Sequence, residues 1–216
     1  MLERVTTPRG ELVLRRAGAA FEVISNGVFL MDTRSGASER RLVSEALELH
    51  GSARRLLIGG LGVGFSLLEA VGHAGLEAIT VIEIEQTLLV WHHTYWPDRT
   101  AAALADPRVA VVLDDVRDHL EGAPAGYDAI CLDVDNGPDW PVTETNEALY
   151  GPGGLAVCVA ALDVGGVLAV WSAHHSDGYA ELLRSRLDQV TVVEVPTHMG
   201  RGGPDVIYLG RRRADR

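Results

Sequence analysis

The chain has 216 residues, 47% of them apolar and 23% charged, with a mean hydropathy of +0.10, which is typical of a globular protein with a substantial core. Its 19 basic and 30 acidic residues give a net charge of −11, a field that argues against unaided binding to nucleic acid or an anionic membrane. The two cysteines, Cys131 and Cys158, lie in apolar runs; we expect buried free thiols and, because no signal peptide or membrane-length apolar run is visible, a cytoplasmic protein.

The first 50 residues predict a small β unit followed by a helix. Short alternating segments occupy residues 11–31, and Ser25 to Gly27 is a hairpin signal. Residues 38–49 carry apolar side chains at helical spacing, with Ser38 as a candidate N-cap. We therefore predict a short N-terminal unit over residues 1–50 and a larger domain over residues 51–216.

From residue 54 onward, strands and helices alternate. The first five strands are nearly continuous apolar runs, as expected when helices cover both faces of a parallel sheet. The last two are joined without a helix, so the final strand should run antiparallel. The predicted strands are 55–60, 79–84, 109–113, 127–133, 166–172, 190–195 and 205–210, and the predicted helices are 64–72, 86–94, 116–121, 145–162 and 177–187. This predicts a Rossmann-like α/β fold with a seven-stranded, mostly parallel sheet, the arrangement of S-adenosylmethionine-dependent methyltransferases.

The first strand of this domain ends in a glycine-rich turn, where Gly60, Gly62 and Gly64 form a G-x-G-x-G pattern. Glycine lets the backbone pass close to a ligand and adopt positive φ. The dinucleotide fingerprint G-x-G-x-x-G fails in both registers, because Phe65 and Leu67 stand where it needs glycine. No Lys-Ser/Thr follows, so the turn is not a P-loop. We predict that these three glycines bind a nucleoside cofactor.

Carboxylates follow the next two strands. Glu83 ends an apolar strand, where a carboxylate can accept hydrogen bonds from both ribose hydroxyls; the alternative is that it interacts with the dipole of the next helix. Asp114 and Asp115 follow the third strand, and one of them sits where an adenine amino group needs an acceptor. Asp115 is also a candidate N-cap, and both roles are compatible. We assign Glu83, Asp115 and the adjacent Val116 to cofactor binding.

A polar cluster follows the fourth strand, which is central in this fold. Asp133 and Asp135 are the candidate catalytic residues, because carboxylates near a sulfonium can orient an amine and accept its proton. Asn136 beside them is a candidate substrate contact, and an ordinary turn is the alternative interpretation of this segment. Trp140 could form a pocket wall, and His174, after the fifth strand, could line the acceptor pocket.

Neighbouring histidines, His92 and His93, raise the question of a metal. Adjacent helical residues point about 100° apart, so the two cannot easily share one ion. No acidic or cysteine partner stands at ligand spacing. We predict no metal site.

These residues together resemble the spermidine synthase family, the polyamine aminopropyltransferases. The resemblance covers most of the chain. The segments that carry it are Ile58 to Gly60, Val81 to Glu85, Asp115 to Leu120, Tyr127 to Asp133, Leu149 to Pro152 and Leu162 to Val170. It implies a transferase that uses S-adenosylmethionine or its decarboxylated form to alkylate a small, amine-bearing acceptor. In it, Glu83 would bind ribose, Asp115 the adenine amino group and Asp133 the reacting amine. It also makes a homodimer a candidate assembly, since the β unit often pairs subunits in that family.

Three departures from the family pattern affect the acceptor side. Gly62 replaces the aspartate that helps to hold the aminopropyl amine. The family's D-x-x-D has Asn136 at its second acidic position, with Asp135 one residue early, and its Tyr-Gln pair falls at about Leu42 and Val43. The nucleoside pocket therefore looks retained and the acceptor pocket altered. Methyl transfer to a non-polyamine substrate and a non-catalytic nucleoside-binding scaffold remain as alternatives.

Overall fold

Two β-sheets organise the chain. The computed structural model describes residues 1–122, 126–134, 136–138, 148–197 and 203–214, and over these ranges it contains a four-stranded antiparallel sheet and a seven-stranded, mostly parallel sheet. The predicted fold class is confirmed. None of the helices in the described part of the chain is long and apolar enough to cross a membrane.

The N-terminal sheet is a meander of four strands in the order β1-β2-β3-β4. The predicted hairpin at Asn26 and Gly27 is confirmed: both residues have positive φ, 50° and 82°, as a tight turn between antiparallel strands requires. The strands are β1 (Glu3–Thr7), β2 (Gly10–Ala17), β3 (Ala20–Ser25) and β4 (Val28–Asp32). The sequence analysis did not predict β1, whose short polar segment pairs with β2 in register.

The large sheet has the order β10-β11-β9-β8-β5-β6-β7. Its first five strands in sequence run parallel, and β11 runs antiparallel to both β9 and β10, as predicted. The strands are β5 (Arg55–Gly59), β6 (Ala78–Glu83), β7 (Val109–Leu113), β8 (Tyr127–Leu132), β9 (Leu162–Ser172), β10 (Leu187–Val195) and β11 (Asp205–Arg212). The chain reverses its strand order between β5 and β8, so a crevice opens at their carboxyl ends.

Helices cover both faces of this sheet. One apolar core lies under α1, α2 and α4, and a second lies under α5, α6 and α7. The helices are α1 (Ala37–His50), α2 (Phe65–Gly72), α3 (Gln86–Thr94), α4 (Pro97–Leu104), α5 (Val116–Gly122), α6 (Pro152–Ala161) and α7 (Asp177–Arg186). Cys131 and Cys158 are buried in these cores as free thiols, as expected.

The β unit packs against the edge of the larger fold through a third apolar cluster. Leu12, Leu14 and Val23 from the N-terminal sheet meet Trp91 and Trp96 from α3 and its C-terminal end. Helix α1, in contrast, packs against β8, β9 and β11 of the large sheet. The division at residue 50 stays a prediction.

Several element boundaries differ from the predictions. Helix α1 begins after Gly36, so the prediction that Ser38 caps it is wrong; a Cβ at Gly36 would lie 1.9 Å from the Phe65 ring. Helix α4 was not predicted, although Pro97 occupies its first turn. Helix α6 begins at Pro152, whereas residues 145–147 of the predicted helix lie outside the described part of the chain.

Candidate active site

A cavity of about 580 Å³ opens at the carboxyl ends of the central strands, between the large sheet and the N-terminal sheet. Such a position is where α/β proteins bind ligands. Seven of the predicted site residues line it: Gly60, Gly62, Glu83, Asp115, Val116, Asp133 and Asn136. Gly64 and His174 are outside the set of residues that line the cavity.

The glycine turn is pressed against the loop that follows β8. Gly60 has a φ of +93°, and a Cβ there would lie 2.2 Å from the carbonyl oxygen of Asp133. The N–H of Asp133 donates to the carbonyl of Gly59 at 2.8 Å, and the N–H of Gly60 donates to that of Ile82. The close approach therefore brings the turn and the predicted catalytic loop into direct contact.

Glu83 is buried at the end of β6, with 5% of its surface exposed. Its carboxylate accepts hydrogen bonds from the N–H of Leu61 at 2.9 Å and of Glu85 at 2.7 Å. Burial raises its pKa, and these backbone N–H groups oppose that rise. The side chain thus ties the glycine turn to the start of α3, and its oxygens retain further lone pairs for a ligand hydroxyl on the cavity side.

Asp115 and Val116 form the opposite wall at the start of α5. Asp115 accepts the N–H of Arg117 at 2.8 Å, which is the N-terminal capping contact expected from the sequence. Val116 is 8% exposed, and its side chain lies close to Gly59, where an added Cβ would be 3.1 Å from Cγ2. An apolar wall beside a carboxylate suits a flat heterocycle with an exocyclic amino group.

Carboxyl groups from three separate elements meet on the other side of the cavity. Asp133 follows β8, Glu39 lies in the first turn of α1, and Asp205 begins β11. Ser66 donates to Asp133 at 2.9 Å, while the Ser38 hydroxyl lies 2.7 Å from Asp205 and 2.9 Å from Glu39. We call Glu39, Asp133 and Asp205 the carboxyl cluster.

Burial raises the pKa of each member of the carboxyl cluster, and the charges of Glu39 and Asp205 raise that of Asp133 further. Burial and the charge of Glu39 raise the pKa of Asp133 to about 8, while the Ser66 hydroxyl opposes that rise. Burial also raises the pKa of Glu39 and of Asp205. Because burial and like charges disfavour its ionised form, Asp133 holds a proton near neutral pH, and a cation bound there would favour its release.

The cationic side chains that line the cavity are already engaged by acidic residues. Arg9 donates to Glu85 at 2.7 Å, and Arg34 pairs with both Glu22 and Asp32. The field inside the cavity is therefore set by carboxyl groups. Within the described ranges, no group of three or more His, Cys, Asp and Glu side chains could hold a metal ion.

The remaining predicted residues are placed as follows. Asp135 and Trp140 lie outside the described residues, so nothing is said of their contacts. Asn136 lines the cavity, and its carbonyl accepts the N–H of Ala173 at 3.1 Å. His174 is exposed and does not line the cavity; burial raises the pKa of Asp205, and the charge of His174 opposes that rise.

Sequence reasoning missed Glu39 and Asp205. Glu39 is an acidic residue in the first turn of a helix, where the helix dipole favours one, and Asp205 is a single carboxylate at the start of a strand. They come close to Asp133 only because α1 packs across β8, β9 and β11 of the large sheet. No local pattern could have identified them.

Comparison with known proteins gives the family. The model of the spermine/spermidine synthase domain matches residues 37–182. The polyamine aminopropyltransferase of Mycobacterium tuberculosis H37Rv is 32% identical over 165 residues, which are 74% of this chain and 30% of that protein. Polyamine aminopropyltransferase 1 of Pseudomonas aeruginosa is 33% identical over 119 residues, 55% of this chain and 40% of that one. The chain thus spans less than half the length of these curated relatives.

Solved structures agree on the fold. A spermidine synthase in complex with the transition-state analogue AdoDATO superimposes with a TM-score of 0.85, at 15% identity over 99% of this chain and 74% of that one. Spermidine synthase from Thermotoga maritima superimposes with a TM-score of 0.82, also at 15% identity, over 99% and 73% of the two chains. Together with the domain match, the fold and the residues at the cavity lead to one conclusion: this chain belongs to the spermine/spermidine synthase domain family.

Proposed function

We propose that the protein transfers the aminopropyl group of decarboxylated S-adenosylmethionine to a small amine acceptor. The observation that carries this proposal is the carboxyl cluster of Glu39, Asp133 and Asp205, which adjoins the glycine turn across the Gly60–Asp133 contact. The names of the relatives support it, since they are called polyamine aminopropyltransferases. Cytoplasmic location and a homodimer stay predictions.

In this proposal the cofactor binds as a substrate along the glycine turn. Glu83 accepts the ribose hydroxyls, Asp115 accepts the adenine amino group, and Val116 contacts the base. The glycines at 60 and 62 let the backbone approach the ligand closely. These roles use the groups that line one half of the cavity.

The reaction is a substitution at the propyl carbon bonded to sulfur. The neutral acceptor amine attacks this carbon, the C–N bond forms as the C–S bond breaks, and the electron pair stays on sulfur in methylthioadenosine. The product nitrogen carries one proton too many, and the Asp133 carboxylate takes it. Asp133 is suited to this role because burial and its acidic neighbours raise its pKa to about 8, close to the pH at which it must work.

The carboxyl cluster also favours the decarboxylated cofactor over the intact one. The charged groups of decarboxylated S-adenosylmethionine are all cationic. The intact form also carries a carboxylate, which would lie close to the acidic side chains of Glu39, Asp133 and Asp205. Unit charges 4 Å apart interact with about 4 kcal/mol at an effective dielectric of 20, so the sign of the charge matters. Arg9 and Arg34 are engaged by acidic partners and offer no compensation. Methyl transfer is therefore the less favoured alternative.

The negative charge of the carboxyl cluster also indicates which class of amine the protein accepts. Glu39 and Asp205 lie beside Asp133 and share the Ser38 hydroxyl, so they can hold a second ammonium group while the first is deprotonated for attack. The acceptor that fits is a diamine or longer polyamine. Here the aspartate expected at Gly62 is absent, and the anionic groups come from α1 and β11 instead.

The test is product formation from each cofactor. Purified protein is incubated with decarboxylated or intact S-adenosylmethionine and a panel of monoamines, diamines and triamines, and methylthioadenosine and S-adenosylhomocysteine are quantified. We expect methylthioadenosine with diamines or longer amines. S-adenosylhomocysteine as the product would instead support methyl transfer, and binding of methylthioadenosine without turnover on any amine would support the scaffold.

A further inference from the structure

His92 contacts the glycine turn from the side of α3. It is 1% exposed, and it does not line the cavity. Its Nε2 lies 2.9 Å from the carbonyl oxygen of Gly62. Its Nδ1 lies 2.9 Å from the indole nitrogen of Trp96 and 2.9 Å from the hydroxyl of Thr100. Every nitrogen of this buried ring is therefore engaged.

These partners define one tautomer. The Trp96 indole can only donate, so Nδ1 of His92 must accept, and its single lone pair is shared with the Thr100 hydroxyl 2.9 Å away. The Gly62 carbonyl can only accept, so Nε2 must carry the proton. Burial lowers the pKa of His92 to about 4, helped by the charges of His93 and Arg99 and opposed by the hydrogen bond to the Gly62 carbonyl. The ring is thus a neutral Nε2–H imidazole with a fixed orientation.

The same side chains account for the third glycine of the turn. A Cβ at Gly64 would lie 2.8 Å from Thr100 Cγ2 and 3.2 Å from His92 Cε1, and the residue has a φ of +93°. Gly64 is therefore required for packing against His92 and Thr100, which explains why it does not line the cavity. Trp96 in turn packs against Phe21 of β3, with ring centroids 5.4 Å apart and the ring planes tilted by 51°.

The turn is consequently held from two directions. Glu83 accepts the backbone N–H groups of Leu61 and Gly62, and His92 donates to the carbonyl of Gly62. In a trans peptide the N–H points opposite to the carbonyl, so the N–H of Val63 points away from His92. A glycine with positive φ could otherwise let this peptide rotate at little steric cost.

We propose that His92 is a positioning residue of the cofactor site: by holding the Gly62 carbonyl it keeps the Gly62–Val63 peptide in the one orientation in which the turn accepts an adenosyl ligand. The inference rests on the proposed function only in taking such a compound as the ligand. His92 does not touch the ligand, and it acts through the backbone of the turn.

The experiment compares three variants of the full chain by calorimetric titration with methylthioadenosine. His92→Phe keeps an aromatic ring beside Trp96 and removes the hydrogen bonds, and we expect the dissociation constant to rise about tenfold, as for the loss of one buried hydrogen bond. His92→Gln restores an N–H donor and should recover most of the affinity. His93→Gln changes the exposed neighbour on the same helix and should leave the dissociation constant unchanged.

A spectroscopic measurement tests the tautomer directly. Correlation spectra of protein with ¹⁵N-labelled histidine should show His92 as a neutral Nε2–H ring at pH 6, and Trp96→Phe, which keeps the ring packing, should increase the other tautomer and weaken binding. This variant and the spectrum decide the matter if His92→Phe does not fold.

Two results would overturn the inference alone: an unchanged dissociation constant in His92→Phe despite a lower melting temperature, or an equal loss of affinity in His92→Phe and His92→Gln. If the native protein binds no adenosyl compound at all, the proposed function fails as well, so the two failures are distinguishable.

Discussion

The two halves of the cavity are built in different ways. The cofactor half depends on backbone groups and on neighbouring segments: the glycine turn after β5, Glu83 at the end of β6, and the N-terminus of α5. The acceptor half depends on side chains of Glu39, Asp133 and Asp205, which are far apart in the sequence. Backbone sites tolerate few changes of shape, whereas a side-chain site can change its specificity by single substitutions. Of the departures from the family pattern, Asn136 lies beside Asp133 in the proposed acceptor half, whereas Gly62 lies in the glycine turn.

We expect Asp133→Asn to give the largest difference between an effect on turnover and an effect on cofactor binding. Removing the proton acceptor should lower kcat by about 100-fold or more, because general base catalysis contributes at least that much. The dissociation constant for methylthioadenosine should change less than about twofold, since Asp133 belongs to the acceptor half. Steady-state kinetics and calorimetry measure the two quantities. Asp118→Asn, an exposed change on α5, is the control, and unchanged turnover in Asp133→Asn would remove Asp133 from the mechanism.

Gly60→Ala should break the contact between the two halves. The new Cβ would lie 2.2 Å from the backbone of Asp133 at a φ of +93°, so we expect a loss of about 2 kcal/mol or more in the free energy of unfolding. Cofactor affinity and turnover should fall together. Urea denaturation and calorimetry measure the effect. Gly72→Ala is the matched control, because a Cβ there meets nothing within 4 Å. Equal stability of the two variants would contradict the close approach.

Glu39→Gln and Asp205→Asn should affect the acceptor half alone. Each removes one charge from the carboxyl cluster, and we expect the KM for a diamine to rise about tenfold, as for one lost ion pair in a partly buried site. The dissociation constant for methylthioadenosine should stay within about twofold. The double variant should show less than the sum of both losses, because the two residues share Ser38. Glu181→Gln, exposed on α7, is the control. A matching loss of cofactor affinity would show that the halves are not separate.

The pH dependence should report the raised pKa of Asp133. The folded-state pKa is about 8 and the ordinary value is 3.8, so the native state binds a proton that the unfolded state has lost between these values. The contribution of Asp133 to the free energy of unfolding is therefore complete below about pH 4 and is lost as the pH rises through about 8. The value of kcat/KM should rise as the pH approaches 8, because only the ionised carboxylate can accept a proton. Denaturant titrations from pH 5 to 9 measure the slope, which Asp133→Asn should flatten. A rate that falls between pH 7 and 8 would contradict Asp133 as the base.

The smallest effect is expected from Ser66→Ala. The variant removes the hydroxyl that donates to Asp133 at 2.9 Å, so the pKa of Asp133 should rise further and stability should fall by about 1 kcal/mol. The midpoint of the pH–rate profile should move to higher pH. Ser185→Ala, exposed on α7, is a control for the loss of a serine hydroxyl. An unchanged profile would show that Ser66 does not influence the titration of Asp133.

The position of the residues proposed for the cofactor half was predictable because their signals are local. A strand that ends in G-x-G-x-G, a strand that ends in Glu83, and Asp115 before a helix each fall within a few residues, and parallel topology then places them on one edge. The direction of β11 was also predictable, since the short link between the last two predicted strands favours an antiparallel return. The start of α1 was not, because Ser38 is a good capping residue locally, whereas its hydroxyl is bonded to Asp205 in the fold.

The sequence by itself determined the sheet, the direction of its last strand and the glycine turn and strand-end carboxylates that line one half of the cavity, because apolar periodicity, glycine and strand-end carboxylates act within a few residues. Only the tertiary structure decided the carboxyl cluster and the contact between His92 and Gly62. Glu39 and Asp205 belong to one site because α1 packs against β8, β9 and β11, and both residues line the cavity with Asp133. In the sequence, His92 is one of two adjacent histidines with no metal-ligand partner at the right spacing. In the fold, its contacts with Trp96, Thr100 and the Gly62 carbonyl fix its tautomer. Contacts between residues so far apart in the chain depend on packing, which no local pattern records.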